Sequence, residues 1–469
     1  MEKSILTIKE PAREIPVRAS VDVLVVGGGP AGVMAARAAA CESDAPIKKG
    51  EPCKGPKVML IESRGFLGGN LTIGLPILAF LGPKGDQIIK GLPQEFITRM
   101  QERDSASEHI PCKNHMSYTV IDPEMSKTVC QEMLQEVGVD ILMYVFCVGV
   151  LKEGNKVTGV IIESKKGREA ILAKTVIDAT GDGDVAFRAG VECHKGDKDG
   201  GMQPPTLMYK MIDVNMDEFR DALSNHSDVF DMDVMPPSQF KRRYFITVGL
   251  RHQLKAAEEK GLHIPVSRTI LITALKEGEI WVNMTRINGT DSTSPDSYTA
   301  CELIARKQMY DVAAYLKAYV PGFENARIDV AAPFTGIRES RVIVGKYILT
   351  EDDILKSRRF DDAIAVAGYP VDIHHAKGGD CTMLFCKDSY DIPYGCLVPA
   401  NIEGLLVAGR CSSMSHEAMA ATRVMSTCMA LGEAAGRAAR LAMKDNVLPS
   451  QVDVQELRKE LKETGAYLI

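Results

Sequence analysis

The feature that most constrains the fold of this chain is a glycine-rich turn between a predicted strand and a predicted helix. Val21–Val26 has the continuous apolar character of a buried parallel strand, and Gly27-x-Gly29-x-x-Gly32 follows it directly. Gly27 would make the tight turn, Gly29 would let a pyrophosphate approach the backbone, and Gly32 would let the alanine-rich helix pack closely on the strand. The order predicts a dinucleotide site. A glycine turn in a nucleotide-free α/β domain is the alternative.

An acidic residue at the end of the next strand supports the dinucleotide interpretation. The second strand is predicted over Lys57–Glu62, and the Glu62 carboxylate is suited to accept hydrogen bonds from ribose hydroxyls. Glu62 lies thirty residues after Gly32 rather than the usual distance of about twenty. Residues 42–56, rich in Pro, Gly and Lys, explain the difference as a surface insertion in the βαβ unit.

Later glycine turns favour FAD over NAD as the dinucleotide. Gly68-Gly69-Asn70 follows the second strand, Thr180-Gly181-Asp182-Gly183-Asp184 repeats the strand-then-glycine pattern, and Gly409-Arg410 ends a third strand before the last helix. Each of these alone would be an ordinary loop. FAD is the longer cofactor, however, and a chain that closes over its ribityl and flavin groups needs several such turns. Their order therefore predicts FAD.

The pattern changes in the middle of the chain. Residues 1–195 and 331–469 have glycine-rich βα turns, whereas residues 196–330 are richer in methionine and aromatic residues, with helices predicted over Val248–Lys260 and Thr299–Tyr319. The predicted fold class is α/β, with a Rossmann-like FAD-binding domain in two parts and an inserted α+β domain that covers the substrate. Asn283, Thr285 and Arg286 of the inserted segment are candidates to reach the pocket.

Charge and cysteine patterns exclude several classes of function. The net charge is −6, and no block of five or six like charges occurs, which argues against a nucleic-acid or anionic-membrane surface. The twelve cysteines include no C-x-x-C pair, so neither a metal site nor an iron–sulfur cluster is expected, and the thiols are expected to be reduced. A polar N-terminus and the lack of a long apolar run predict a cytoplasmic protein. A homo-oligomer is left open.

Four long motifs in the C-terminal half carry a family resemblance. They are GIRESRVIVGKYILTEDDIL (336–355), RRFDDAIAVAGYPVDIH (358–374), YDIPYGCLVP (390–399) and LLVAGRCSSMSHEAMAATRVMSTCMALGEAAGRAA (405–439). The chain resembles the glutathione-reductase-like FAD oxidoreductases from about Val21 to Ala442. Its C-terminal half is similar to one narrower group, the FAD-dependent oxidoreductase family, whose members are also loosely named "xanthan lyase".

The turns and the resemblance together define the expected cofactor site. The last helix is expected to begin near Arg423-Val424-Met425-Ser426 and to point its positive N-terminus at the flavin N1–C2=O edge. The residues predicted to hold FAD are Gly27, Gly29, Pro30, Ala31, Gly32, Glu62, Ser63, Gly68, Gly69, Asn70, Ala179, Thr180, Gly181, Gly409, Arg410, Val424 and Met425.

Three residues in the family motifs are catalytic candidates. The Arg338 guanidinium is suited to hold a substrate oxygen, although Arg338, Glu339 and Arg341 could instead form a structural ion-pair network. His374 could move a proton, with its tautomer fixed by Asp372 or a backbone carbonyl. His416 is the reserve for that role, because the resemblance places the isoalloxazine near its loop.

The predicted function is an FAD-dependent oxidoreductase that transfers a hydride between the flavin N5 and a small organic substrate. The substrate would be an alcohol, a hydroxy acid, a sugar or an activated C–C bond, and the second electron donor or acceptor is unidentified. The first alternative is a flavin electron-transfer subunit that passes electrons to a partner protein. Action on nucleic acid is disfavoured by the charge pattern, and no residue supports a lyase.

Overall fold

The computed structural model describes residues 7–41, 55–225 and 236–469, and these residues form a mixed α/β structure. The strands are β1 (Val17–Val26), β2 (Val58–Glu62), β3 (Ile77–Leu78), β4 (Ile110–Cys112), β5 (Met116–Thr119), β6 (Asp140–Met143), β7 (Phe146–Glu153), β8 (Lys156–Ser164), β9 (Gly167–Asp178), β10 (Cys193–Lys195), β11 (Tyr209–Ile212), β12 (Ile246–Gly249), β13 (Thr269–Thr273), β14 (Ile280–Val282), β15 (Arg327–Ala331), β16 (Arg341–Ile343), β17 (Ala363–Ala367), β18 (Val371–His374), β19 (Cys381–Leu384), β20 (Tyr390–Pro393) and β21 (Leu405–Val407). The α-helices are α1 (Pro30–Ala40), α2 (Leu92–Gln101), α3 (Pro123–Gln135), α4 (Asp184–Ala189), α5 (Met216–Asn225), α6 (Arg251–Glu259), α7 (Pro295–Tyr319), α8 (Glu351–Leu355), α9 (His416–Thr422), α10 (Met425–Asp445) and α11 (Val454–Glu463).

A mainly parallel sheet brings the predicted glycine turns to one edge. Its order is β6-β2-β1-β9-β8-β7, and β21 also pairs with β9. Strands β6, β2, β1, β9 and β21 are parallel, with Val26 and Val407 both in register with Asp178. The carboxyl ends of these strands therefore lie side by side, which is where α/β sheets bind their ligands. The predicted α/β fold class is confirmed.

Helices α1 and α10 pack against each other almost backbone to backbone. A Cβ atom added to Gly432 would lie 2.1 Å from the carbonyl oxygen of Ala31, and one added to Gly436 would lie 2.2 Å from that of Ala35. Nearly every residue of both helices is buried. The small residues of α10 therefore serve its contact with α1, and so they tie the C-terminal part of the chain to the first glycine turn.

A second sheet lies in the middle part of the chain. Its five antiparallel strands have the order β12-β13-β14-β11-β15, and they form a separate hydrophobic core with α5, α6 and α7. This sheet runs from Tyr209 to Ala331, close to the predicted inserted segment. The boundaries at residues 195 and 330 stay predictions.

The second sheet region holds a hairpin of the C-terminal part. Strands β18 and β19 pair, and the turn between them receives hydrogen bonds from three side chains. Arg286 Nη2 donates to the carbonyl oxygens of His375 (2.6 Å) and Asp380 (3.0 Å). Asn288 Nδ2 donates to Gly378 O at 3.0 Å, and Ser267 Oγ donates to Gly379 O at 3.2 Å. The hairpin is thereby fixed against the second sheet.

Several local predictions are refined by the structure. The insertion at 42–56 lies mostly outside the described residues. Val248 belongs to β12, so the helix predicted from it begins at Arg251. Ten of the cysteines within the described ranges are free thiols, whereas Cys41 is disulfide-bonded, contrary to the expectation of reduced thiols throughout. In the part of the chain that the structure describes, no helix is long and apolar enough to cross a membrane.

Candidate functional site

The first glycine turn adopts the backbone geometry that its three glycines predict. Gly27 has φ +103°, and a Cβ there would meet Ala179 O at 2.5 Å. A Cβ at Gly32 would meet Gly27 O at 1.8 Å, so the turn and α1 are in direct backbone contact. A Cβ at Gly29 would meet nothing within 4 Å. At Gly27 and Gly32 a side chain would therefore clash with the backbone, whereas at Gly29 the absence of a side chain leaves the space beside the turn empty of protein atoms.

The carboxylate of Glu62 holds this turn from the end of β2. Its Oε2 accepts from the backbone N–H of Gly28 at 2.7 Å, and its Oε1 accepts from Ser63 Oγ and Arg64 N, each at 2.9 Å. The side chain is buried. A carboxylate has about four acceptor positions, so one remains after these three bonds.

A cavity of about 440 Å³, here called the glycine-turn cavity, opens at the carboxyl ends of the parallel strands. Most of the residues predicted to hold FAD line it. They are Gly27, Gly29, Pro30, Ala31, Glu62, Ser63, Gly69, Asn70, Ala179, Thr180, Gly181, Gly409, Arg410 and Met425.

The other three predicted cofactor residues lie beside the glycine-turn cavity. Gly32 packs α1 on the turn. Gly68, at φ +105°, donates its N–H to Gly28 O at 2.8 Å, so it supports the turn from behind. Val424 is the residue before α10, and it lines a neighbouring cavity.

This neighbouring cavity, here called the arginine cavity, has a volume of about 180 Å³. Its arginines are Arg268, Arg286, Arg338, Arg410 and Arg423. The second sheet region contributes much of its wall, including Asn283, Thr285 and Arg286, as the sequence suggested. The two cavities share Asn70, Ile337, Arg410, Arg423 and Met425, so they meet at the N-terminus of α10.

Arg410 is held at this junction by an ion pair. Its Nη2 donates to Asp182 Oδ1 at 2.8 Å and its Nη1 donates to Ser340 Oγ at 2.9 Å. Ser340 Oγ in turn donates to the same carboxylate oxygen at 2.6 Å. The charge of Arg410 is therefore balanced, and its position at the junction of the cavities is fixed.

The structure places Arg338 and His374 together in the wall of the arginine cavity. Arg338 Nη1 donates to Thr206 Oγ1 at 2.7 Å and also to the carbonyl oxygen of Pro204. Its Nε and Nη2 form no hydrogen bond with any described residue. Burial and the nearby charge of Arg423 lower the pKa of Arg338 to about 9. The group retains donors for a ligand.

His374 is paired with Asp372 two residues earlier on β18. The Nε2 atom of His374 lies 3.4 Å from Asp372 Oδ2, and Tyr369 Oη donates to the same oxygen at 3.1 Å. Arg286 Nη1 lies 3.5 Å from His374 Nδ1. Burial and the charge of Arg338 lower the pKa of His374 to about 4, and Asp372 opposes this shift. The imidazole is therefore neutral at neutral pH.

His416 lies outside both cavities, at the first position of α9 rather than in a loop. Its Nδ1 is 2.7 Å from Glu339 Oε1, and Glu339 Oε2 accepts from Gln203 N at 2.8 Å. Burial opposes the charged imidazole, but Glu339 outweighs burial and raises the pKa of His416. Glu339 thus bonds to His416 rather than forming the ion pair with Arg338 that the sequence allowed.

The arginine cavity also contains His115, which the sequence did not indicate, and Arg423, which the sequence analysis named only at the start of the last helix. His115, in the turn between β4 and β5, lines the cavity and stacks on Tyr369 with ring centroids 6.1 Å apart. Arg423 lies 3.6 Å from Asp372 Oδ2 and donates to Asp372 O at 3.1 Å. No motif marks His115, because its approach depends on a short sheet formed by β3, β4 and β5.

A protein-family comparison matches residues 22–461 to the family described as FAD dependent oxidoreductase. The chain belongs to this family. The predicted family, the FAD cofactor and the enzyme class are thereby confirmed, since the match spans both parts of the parallel-sheet region and the segment between them. A search of curated proteins found no match.

Solved structures similar to this FAD dependent oxidoreductase share low sequence identity with it. A geranylgeranyl bacteriochlorophyll reductase-like protein from Thermoplasma acidophilum is 17% identical, with 95% of this chain and 84% of that chain covered and a TM-score of 0.48. A p-nitrophenol 4-monooxygenase from Pseudomonas putida is 12% identical, with coverage of 94% and 84% and a TM-score of 0.47. A flavoprotein/dehydrogenase from Cytophaga hutchinsonii is 15% identical, with coverage of 94% and 83% and a TM-score of 0.47.

Proposed function

We propose that this FAD-dependent oxidoreductase transfers a hydride between the flavin N5 and a small organic substrate bound in the arginine cavity. The observation that carries the proposal is the junction of the two cavities at Asn70, Ile337, Arg410, Arg423 and Met425. A cofactor that begins at the glycine turn and reaches this junction would present its far end to a ligand in the arginine cavity.

The residues around the glycine-turn cavity fit an FAD molecule. Gly29 leaves the space at the N-terminus of α1 open, and the free N–H groups and positive dipole end there suit a pyrophosphate. The remaining acceptor position of Glu62 suits a ribose hydroxyl. The N-terminus of α10 has no side-chain cap and lies at the junction of the cavities, which suits a group that gains negative charge. These features support Gly29, Glu62 and Met425 as cofactor contacts.

Arg338 and His374, which both line the arginine cavity, have different proposed roles. Bound FAD supplies the site that accepts or donates the hydride. Arg338 cannot readily give up a proton, so its role is to hold a substrate oxygen with the donors that no protein group uses. His374 is suited to exchange a proton with the substrate, because it lines the same cavity and its Nε2 faces Asp372.

The protonation state of His374 favours one direction of the reaction. A neutral imidazole that directs its Nε2–H toward Asp372 has its lone pair on Nδ1. Arg286 Nη1 lies 3.5 Å from this atom, a long contact that a substrate hydroxyl can replace when it gives its proton to Nδ1. Removal of that proton accompanies the oxidation of an alcohol to a carbonyl. We therefore propose that the enzyme oxidises its substrate, with His374 as the base.

The test is anaerobic bleaching of the FAD absorbance, followed by stopped flow with a panel of alcohols, hydroxy acids, enones and sugars. At least one compound should reduce the flavin. His374→Ala should retain FAD and slow bleaching at least tenfold, because general base catalysis is worth roughly 10²–10⁴ in rate. Arg338→Ala should mainly raise the substrate concentration needed for half-maximal bleaching.

His416→Ala is the comparison variant, since His416 lies outside both cavities. It should bleach at the wild-type rate. If His416→Ala is slow and His374→Ala is fast, the proton-transfer role belongs to the reserve residue. If no compound bleaches the flavin and a redox partner protein does, the chain is an electron-transfer subunit.

A further inference from the structure

One wall of the arginine cavity is an apolar face of the second sheet. Ile246 and Val248 alternate along β12, and their register partners on β13 are Ile272 and Ile270. Residues in register on an antiparallel pair, two positions apart along each strand, point to the same face of the sheet. All four side chains line the cavity, so this face forms one continuous hydrophobic wall.

Another wall is polar and comes from the hairpin of β18 and β19. Asp372 and His374 lie two residues apart on β18, and their register partners are Met383 and Cys381. All four line the cavity. The ligand of this cavity therefore contacts an apolar wall and a wall that carries charge.

Two of the arginines that line the arginine cavity, Arg286 and Arg338, form no ion pair with a described carboxylate. Among the described residues that line it, five are arginines and one, Asp372, carries a carboxylate. Arg410 is neutralised by Asp182 outside the cavity, and Arg423 shares Asp372. Arg286 and Arg338 have no carboxylate within ion-pair distance in the described residues; Arg286 donates to backbone carbonyls and Arg338 to Pro204 and Thr206. Buried cations without a partner are costly, so an anion would be bound favourably here.

The titration behaviour of the cavity agrees with the positive charge of its arginines. The pKa of Arg338 is lowered by burial and by Arg423, and the pKa of His374 is lowered by burial and by Arg338. Asp372 has a pKa well below its usual range: burial acts against its ionisation, but His374, Arg423 and His115 outweigh burial. At neutral pH His374 is neutral, and the Asp372 carboxylate pairs with Arg423, so Arg338 still lacks a carboxylate partner among the described residues.

We propose that the substrate of this enzyme is an organic acid with an apolar body. Its carboxylate binds the free N–H groups of Arg338, and its apolar body lies against the wall formed by β12 and β13. This inference rests on the proposed function. It narrows the substrate class from small organic molecules in general to monoanions with an apolar body, such as aliphatic hydroxy acids.

Binding to the FAD-loaded protein tests the inference without any redox step. Hexanoate, 1-hexanol and hexylamine share an alkyl body and differ in charge, and isothermal titration calorimetry measures each affinity. Hexanoate should bind about tenfold to a hundredfold more tightly than 1-hexanol, because a charge-assisted hydrogen bond exceeds a neutral one. Butanoate should bind about tenfold more weakly than hexanoate, since it lacks two buried methylenes. Hexylamine should bind more weakly than hexanoate and more weakly than 1-hexanol.

Arg338→Gln locates the anion site. This variant should lose at least tenfold in hexanoate affinity and stay within twofold of wild type for 1-hexanol. Arg327→Gln is the matched control, because Arg327 is an exposed arginine paired with Asp213 and lines neither cavity. It should bind both compounds as wild type does. A thermal melting curve reports whether Arg338→Gln has folded, and if it has not, the wild-type series with the three hexyl compounds decides.

The inference is overturned if hexanoate binds no more tightly than 1-hexanol, absence of binding included, or if Arg338→Gln keeps the wild-type preference. It is also overturned if Arg338→Gln releases FAD and leaves the carboxylate preference intact, since the arginine then serves the cofactor. 2-Hydroxyhexanoate separates this inference from the proposed function. Tight binding without bleaching upholds the anion site and contradicts alcohol oxidation, whereas bleaching by alcohols without a carboxylate preference does the reverse.

Discussion

The Nε2 atom of His374 lies 3.4 Å from Oδ2 of Asp372, which is the neighbouring residue on the same face of β18. The same carboxylate oxygen accepts from Tyr369 at 3.1 Å and lies 3.6 Å from Arg423. These contacts hold the Asp372 carboxylate ionised and aim it at the imidazole. The orientation of His374 therefore depends on a charged residue that need not touch the substrate.

The first prediction concerns the pH profile of flavin bleaching by the substrate. Because the pKa of His374 is lowered to about 4, the imidazole is in its basic form from pH 6 to 8, and the bleaching rate should be constant there. The rate should fall below about pH 5 as His374 takes up a proton. Asp372→Asn should retain FAD and lower the rate at least tenfold, because the tautomer is no longer fixed. A bleaching rate that rises toward acid pH would contradict the base role.

The second prediction separates the two kinds of glycine in the first turn. Gly29→Val should fold with a nearly unchanged melting temperature, because the added Cβ meets no protein atom within 4 Å, and it should lose FAD, because the side chain enters the cavity. Gly32→Ala should instead lower the melting temperature, since its Cβ would lie 1.8 Å from Gly27 O. Melting curves and the FAD content after reconstitution measure both effects. Gly29→Val that binds FAD with wild-type affinity would refute the pyrophosphate assignment.

The third prediction concerns stability in acid. His109 stacks on Phe80 with ring centroids 4.2 Å apart, and burial lowers its pKa to about 4. An unfolded histidine has a pKa near 6.5, so between about pH 6.5 and 4 the unfolded chain binds more protons than the folded one. The free energy of unfolding therefore falls as the pH falls through this window, by at most about 1.4 kcal/mol per pH unit for one group.

His109→Gln should reduce that pH dependence. Chemical denaturation at pH 7 and pH 5 measures the difference in the free energy of unfolding, which should be smaller in the variant than in the wild type. His252→Gln is a suitable control, because His252 is an exposed residue of α6. Identical pH dependence in His109→Gln and wild type would show that His109 does not titrate in this window.

The sequence predicted the parallel-sheet region well because its signals are local. Gly27 and Gly32 are needed for a tight turn and for packing without a Cβ. They form a recognisable glycine motif within a few residues of the strand that they follow. The helix predicted from Met425 likewise begins there. The arginine cavity could be predicted only in part, because Arg286, Arg338 and Arg423 come together through contacts between distant segments.

His416 illustrates the same limit of sequence reasoning. The sequence predicts His416 in a loop before the last helix, but the residue begins α9. Its partner, Glu339, lies 77 positions away in the chain. The short 2.7 Å contact turns the imidazole toward Glu339 and away from both cavities. A motif shows which residues are neighbours in the sequence. It does not show where a side chain points, because that depends on contacts with residues that are distant in the chain.

The fourth prediction tests the contact between α1 and α10. Gly432→Val should lower the melting temperature by several degrees and weaken FAD binding, because its Cβ would lie 2.1 Å from Ala31 O and would push the two helices apart. Ala430→Val, on the same helix at a partly exposed position, should change both quantities little. Thermal melts of the two variants with and without added FAD measure the difference. Equal melting temperatures would show that α10 can shift away from α1 without cost.

The pairing of β21 with β9 and of α10 with α1 has a consequence for biosynthesis. The glycine turn at residues 27–32 is synthesised several hundred residues before its partners at Leu405–Val407 and Met425–Asp445. Contacts across so large a separation in sequence form slowly. A nascent chain therefore carries an incomplete nucleotide cavity until β21 and α10 have been made. Premature termination before Leu405 would release a polypeptide that has the complete glycine motif and lacks the elements that close the cavity around it.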